Sequence, residues 1–328
     1  MTLAFAAFTR RGEALARQLA ERFGGDVTRI DREAPLAAWT ASAFLEKDGL
    51  VFVGAVGIAV RAVAPHLRHK ATDPAVVVVD EGGQFAVPLV SGHLGGANAL
   101  ARQLAACIGA VPVITTATDG RGLFAVDSWA KAQGFLVNEP ARIKLVSAKV
   151  LDGKQVALRC PWPIAGEQPP EIGLTDEVGC DAAVTLYQEA GAALHLIPRA
   201  LTLGVGCRKG TTQAALETAF QALLRARSFA VEAFVRTASI DLKAREPGLL
   251  AFCAAHGWPL VTYSAQDLAQ VPGDFTPSPF VAEVTGVDNV CERAAIRASG
   301  GTLIQKKWKG EGVTFAVALA SPRLDWRW

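Results

Sequence analysis

The sequence predicts an α/β protein built as two α/β lobes with mostly parallel sheets, joined by a small β-containing linker region. Three observations predict it. The chain has 328 residues with 51% apolar and 20% charged, which exceeds one ordinary domain and suits well-filled cores. Short apolar runs of strand length alternate with segments of helical spacing. Val76 to Val79 gives four successive valines, too apolar for a half-exposed strand and suited to a parallel sheet covered on both faces.

In order, Thr2 to Phe8 is a buried-strand run, and Arg11 to Phe23 carries Leu15, Leu19 and Phe23 on one helical face. Gly24-Gly25 ends that helix, Val27 to Ile30 can extend, and Pro35 opens a second helix through Leu36, Trp39 and Phe44. Leu50 to Val53 leads into a glycine turn and a helix from Ile58 to His66. After the valine run, Phe85 to Val87 can pair back as a hairpin, Ala97 to Ile108 forms a helix, and Val111 to Ile114 a strand. The first α/β domain is therefore expected over 1–126. From 127 to 199 the signals weaken. Cys160 to Gly173 holds four prolines and reads as loop, flanked by strand-length runs at Gln155 to Arg159, Ala182 to Leu186 and Ala193 to Ile197. A second α/β domain is expected over 200–328. Its strands are Leu201 to Val205, Phe234 to Ile240, Leu260 to Tyr263, Thr302 to Ile304 and Val313 to Leu319. Its helices follow Thr211-Thr212, lie around Leu249 to Ala255, and run from Asn289 to Ala298.

Composition excludes several classes. With 33 Lys and Arg against 31 Asp and Glu, the net charge of +2 lacks the basic excess of a general nucleic-acid binder. The longest apolar stretch, Leu50 to Val60, is cut by Arg61 and is too short for a bilayer. No basic n-region or cleavage site follows Met1, so a cytoplasmic chain is expected, with no membrane partner. The six cysteines form no C-x-x-C pair, and His66 and His69 are flanked by Arg68 and Lys70, whose charge opposes a cation. No protein-held metal is expected. Trp326 and Trp328 pack on the chain's own surface or mark a homodimer contact; the sequence does not choose.

Ligands of open α/β sheets sit at the carboxyl ends of strands, which directs attention to the loops after Val53, Val90, Ile114 and Val205. Gly54 to Arg61 begins a helix, where free N–H groups favour an anion, with Gly57 and Arg61 as the candidates. It lacks the P-loop ending and the full G-x-G-x-x-G pattern, and a plain tight turn is the alternative. Ser91-Gly92-His93-Leu94-Gly95-Gly96-Ala97-Asn98 is the most informative string. Its three glycines let backbone approach a ligand. His93 is its one titratable group, suited to general acid/base work, or else a structural histidine. Thr115 to Asp119 offers hydroxyls and the Asp119 carboxylate, or an Asx turn. Gly204 to Gly210 brings Arg208 and Lys209 to a glycine turn, where an anionic substrate would bind, with Cys207 a small buried residue or a nucleophile. Asp241, Lys243 and Glu246 lie beyond a strand, as site groups or as a helix-start charge network.

Gly57 to Arg61, Thr72 to Asp80, Ser91 to Asn98, Ile114 to Asp119, Gly204 to Gly210, Ser239 to Leu250 and Gly286 to Ala295, in order and across both lobes, together resemble the cobalt-precorrin-5A hydrolase family of anaerobic cobalamin biosynthesis. The C-terminal part is also similar to a stand-alone protein of the aerobic pathway. The resemblance implies a hydrolase that opens a lactone on an anionic cobalt-corrinoid with water and expels a two-carbon unit as acetaldehyde. It implies no cofactor of the protein's own, since cobalt arrives with the substrate, and it leaves room for neighbouring pathway enzymes as partners. His93, Asp119 and Asp241 are then the catalytic candidates. The substrate-binding candidates are Gly57, Arg61, Ser91, Gly92, Gly95, Gly96, Asn98, Cys207, Arg208, Lys209, Lys243 and Glu246, and the macrocycle is expected in a cleft between the lobes. The competing reading is a non-catalytic corrinoid carrier or scaffold.

Overall fold

The computed structural model describes residues 1–69, 72–92, 95–116, 122–189, 191, 193–310 and 312–328. The chain divides into two compact units, residues 1–128 and 129–328. In the first, β1 (Leu3–Ala7), α1 (Arg10–Phe23), β2 (Asp26–Arg29), α2 (Leu36–Glu46), β3 (Gly49–Val53), α3 (Val56–Val63), β4 (Ala75–Val79), β5 (Phe85–Val90), α4 (Ala97–Ile108) and β6 (Val111–Pro112) follow in order. Six strands form one sheet in the order β2-β1-β3-β4-β5-β6. β1, β2, β3 and β4 are parallel, whereas β5 turns back antiparallel to β4 and β6 runs parallel to β5.

Strand alternation assigns the two faces of this sheet. Phe5, Ala7, Val51 and Val77 pack under α1 and α4 through Ala16, Leu19, Leu100 and Leu104. Ala4, Ala6, Phe52 and Val78 pack under α2 and α3 through Phe44, Ala59 and Val63. Both faces are covered, which is why β1, β3 and β4 read as unbroken apolar runs. α1 starts where the Thr9 hydroxyl accepts the Gly12 N–H at 3.0 Å.

The helix α5 (Val126–Ala132) leads into the second unit. There β7 (Phe135–Val137), α6 (Ile143–Leu151), β8 (Val156–Arg159), β9 (Ile164–Ala165), β10 (Ile172–Leu174), β11 (Ala182–Val184) and β12 (Leu194–Pro198) follow. A five-stranded sheet in the order β10-β8-β11-β12-β7 results, parallel except for β7. The proline-bearing stretch expected as loop contributes β9 and the start of β10.

The chain continues with β13 (Leu201–Cys207), α7 (Gln213–Arg227), β14 (Phe234–Ile240), α8 (Pro247–His256), β15 (Leu260–Tyr263), α9 (Ala265–Ala269), α10 (Pro279–Thr285), α11 (Cys291–Ser299), β16 (Thr302–Lys309), β17 (Val313–Leu319) and β18 (Leu324–Asp325). Its sheet order is β15-β14-β13-β17-β16, with β13, β14 and β15 parallel, β17 antiparallel to β13, and β16 antiparallel to β17. Leu201, Leu203 and Val205 point to α7 and α8, where Phe220 and Phe252 meet them. The opposite face lies against α11 so closely that a Cβ at Gly204 would stand 1.9 Å from the Cys291 carbonyl oxygen. At the C-terminus β18 pairs with β9, and Trp326 stacks on Trp129 with ring centroids 5.4 Å apart. Trp326 therefore packs on its own chain.

Candidate functional site

In the first unit the loop between β5 and α4 closes upon itself. Ser91 adopts a left-handed φ of +58°, and its buried hydroxyl donates to the Asp73 carbonyl at 2.8 Å. The Asp73 carboxylate accepts the N–H groups of Arg68 at 3.0 Å and His69 at 3.1 Å. The amides of Ala97 and Asn98 return to the carbonyls of Ser91 and Gly92 at 3.0 and 2.9 Å. A Cβ at Gly95 would lie 2.2 Å from the Ser91 Cβ, and one at Gly92 2.8 Å from the Asn98 Oδ1. These two glycines thus serve the loop's own closure, and Gly96, at φ +90°, opens α4. The Asn98 side-chain amide donates to the Thr116 hydroxyl at 2.8 Å, joining this loop to the segment after β6. His93 and Asp119 lie outside the described residues.

Sequence reasoning placed the loops after Val53 and Val90 alike at carboxyl ends of strands, and the topology corrects the consequence. Because β5 is antiparallel, Val90 pairs with Val76 at the amino end of β4, while Val53 pairs with Val79 at its carboxyl end. The two ends of β4 are about 13 Å apart at the usual rise per residue. Gly57 therefore stands at the end of the sheet opposite the Ser91 loop. It is exposed, and Arg61 folds back along its own helix to donate to the Gly57 carbonyl at 3.1 Å. On the Ser91 side, Phe44, His66, Leu67, Arg68 and Asp73 help line a cavity of about 340 Å³.

In the second unit, parallel β13 and β14 bring the turns after Cys207 and Ile240 to one end of their sheet, together with the hairpin turn before β17. The Gly210 N–H donates to Glu246 Oε1 at 2.6 Å, and Lys243 Nζ to Glu246 Oε2 at 3.0 Å. The Lys243 ammonium and the Gly210 N–H hold the Glu246 carboxyl below its ordinary range. From the other side the Arg208 N–H reaches the Gly312 carbonyl at 3.3 Å. Arg208 and Lys209 are exposed, and neither head group hydrogen-bonds to a described residue. Asp241 is exposed at the start of a short 3-10 turn. Burial pushes the half-buried Cys207 thiol upward, with Lys243 partly opposing. That setting disfavours a thiolate.

Sequence reasoning missed Asp73 as the residue supporting the Ser91 loop, and Gly312 as a support of the Arg208 turn. An Asp before Pro74 and a glycine turn between two strand runs were the available signals. Among the described residues no group of three or more His, Cys, Asp and Glu could hold a metal ion. Nor is any described helix long and apolar enough to cross a membrane.

Residues 38–119 match the family described as Cobalamin synthesis G N-terminal, and residues 201–318 match Cobalamin synthesis G C-terminus. The chain is 35% identical over 300 residues to a cobalt-precorrin-5A hydrolase of Priestia megaterium, covering 85% of this chain and 80% of that one. It is 33% identical over 347 residues to a cobalt-precorrin-5A hydrolase of Salmonella typhimurium, covering 97% of this chain and 98% of the relative. Among solved structures, a cobalamin biosynthesis protein G homolog from Sulfolobus solfataricus aligns over 98% of this chain and 97% of its own, at 20% identity and a TM-score of 0.42. The Ser91 loop falls in the first matched stretch and the turns around Arg208 and Glu246 in the second.

Proposed function

The chain belongs to the cobalt-precorrin-5A hydrolase family, and from that premise we propose that it opens the lactone of an anionic cobalt-corrinoid and releases acetaldehyde. The supporting observation is the turn that precedes α7, where Arg208 and Lys209 stand exposed and, among the described residues, neither head group is hydrogen-bonded. Among the described residues the acid bonded to the turn is Glu246, which is already engaged by Lys243. Such a turn suits carboxylates on a ring.

The chemistry has two steps. A base takes a proton from water, the oxygen attacks the lactone carbonyl, and the acyl C–O bond breaks to give a carboxylate and a ring-linked hydroxyl. Removal of the hydroxyl proton then forms the aldehyde C=O as the C–C bond breaks, with the electron pair entering the macrocycle. His93 is assigned to both proton transfers on its place in the Ser91 to Asn98 string, with Asp119 and Asp241 as the candidate acids. Cobalt belongs to the substrate. Ser91, Gly92, Gly95, Gly96 and Asn98 shape the loop that carries His93.

Trapping of aldehyde from purified protein mixed with the corrinoid lactone tests this reading. Wild type should yield aldehyde, and His93→Ala should bind the lactone while turning over about 10² to 10⁴ more slowly. Tight binding by wild type without aldehyde would make the protein a carrier instead.

A further inference from the structure

We propose that Glu246 is a positioning residue that holds the Cys207 to Gly210 turn in shape, and that Lys243 is the counter-charge that keeps this carboxylate from opposing an anionic ligand. The proposal rests on the reading of that turn as a substrate contact. Glu246 is only 8% exposed, and both of its oxygens are occupied, one by the Gly210 N–H at 2.6 Å and the other by Lys243 Nζ at 3.0 Å. Both oxygens thus serve the protein's own backbone and side chains. The Lys243 side chain is 15% exposed and its ammonium faces the carboxylate rather than solvent.

The backbone around the pair explains why this carboxylate reaches the turn. Gly248, two residues on, sits so near Thr211 that a Cβ there would lie 2.0 Å from the Thr211 carbonyl oxygen. The start of α8 therefore rests directly on the chain leaving the turn. Thr211 in turn caps Arg208 by donating its hydroxyl to the Arg208 carbonyl at 2.8 Å. With Glu246 on one side and Gly312 on the other, the turn is fixed at its backbone, while the exposed Arg208 and Lys209 head groups hydrogen-bond to no described residue. An unneutralised carboxylate at this place would sit beside those two cations and weaken their pull on an anion. Lys243 removes that penalty.

Full-length wild type, Glu246→Ala, Glu246→Gln, Lys243→Gln and the Lys243→Gln/Glu246→Gln double variant supply the test. Without any ligand, amide hydrogen exchange across residues 206–213 should lose protection at Gly210 in Glu246→Ala. Glu246→Gln keeps an acceptor oxygen and should retain part of it. With the corrinoid lactone, Glu246→Ala should raise KM about tenfold, the effect of a lost charged hydrogen bond, with kcat nearly unchanged. Lys243→Gln should raise KM as well, and the double variant should return toward wild type because no bare charge is left. Two direct substrate contacts would instead give losses that add. Unchanged protection in Glu246→Ala, or additive KM losses in the double variant, overturns the proposal. A wild type that converts no lactone refutes the hydrolase reading separately, and the exchange result then decides the positioning role alone.

Discussion

Arg208 and Lys209 carry the case for an anionic ligand: both are exposed and neither head group hydrogen-bonds to a described residue, whereas Lys243 is paired with Glu246. If they hold ring carboxylates equally in the ground and transition states, Arg208→Ala raises KM about 10- to 150-fold and leaves kcat nearly unchanged. Steady-state kinetics at fixed salt reads this directly. Cys207 makes the opposite case. Burial raises its thiol, which disfavours the thiolate a covalent route would need, and the proposed reaction therefore uses water as the nucleophile. Cys207→Ser is expected to keep most of the activity, and an acyl adduct found on Cys207 by mass spectrometry would reverse that assignment. The partnership of Glu246 and Gly210 spans 36 residues. Such a contact is invisible to local pattern, which is why the sequence left Lys243 and Glu246 open between site groups and a charge network.

Elements were legible where burial was one-sided or complete. The helix Ala97–Ile108 was read to the residue because its buried positions Leu100, Ala101, Leu104 and Ala105 repeat on one face. The valine run likewise announced a strand covered on both sides. α10 escaped because it has no buried residue, with Phe280 and Val284 facing solvent, so no amphipathic pattern marks it. α6 carries Ile143, Val146 and Val150 inward but spans only nine residues between loops. The reversal of β5 was legible as a hairpin, yet its consequence for the site lies in topology: a reversed strand delivers its following loop to the other end of the sheet. At the β13–α11 crossing the structure makes a firm demand. Gly204→Ala forces a methyl group against the Cys291 carbonyl oxygen, and thermal unfolding should show a loss of about 1 to 3 kcal/mol or more. An unshifted melting temperature would mean that α11 can move away at little cost.

At the scale of the whole molecule, family membership came from strings spread along the chain, and the similarity to the Salmonella relative runs over 97% of it. The middle sheet lies in neither matched family stretch, and its weak periodicity fits strands as short as three residues. The glycine-rich string was legible, but the hydrogen bonds of its Ser91 and Asn98 to Asp73 and Thr116 were not, because those partners lie 18 residues away in sequence. Lactone hydrolysis and carbon–carbon cleavage leave separate marks on the products, which a single-turnover reaction in heavy-oxygen water can read together. With wild-type protein and the cobalt-corrinoid lactone, one labelled oxygen should enter the liberated carboxylate of the ring for each acetaldehyde trapped. A corrinoid recovered intact and unlabelled from a stoichiometric complex, with no aldehyde formed, would contradict the assignment as an acetaldehyde-releasing hydrolase.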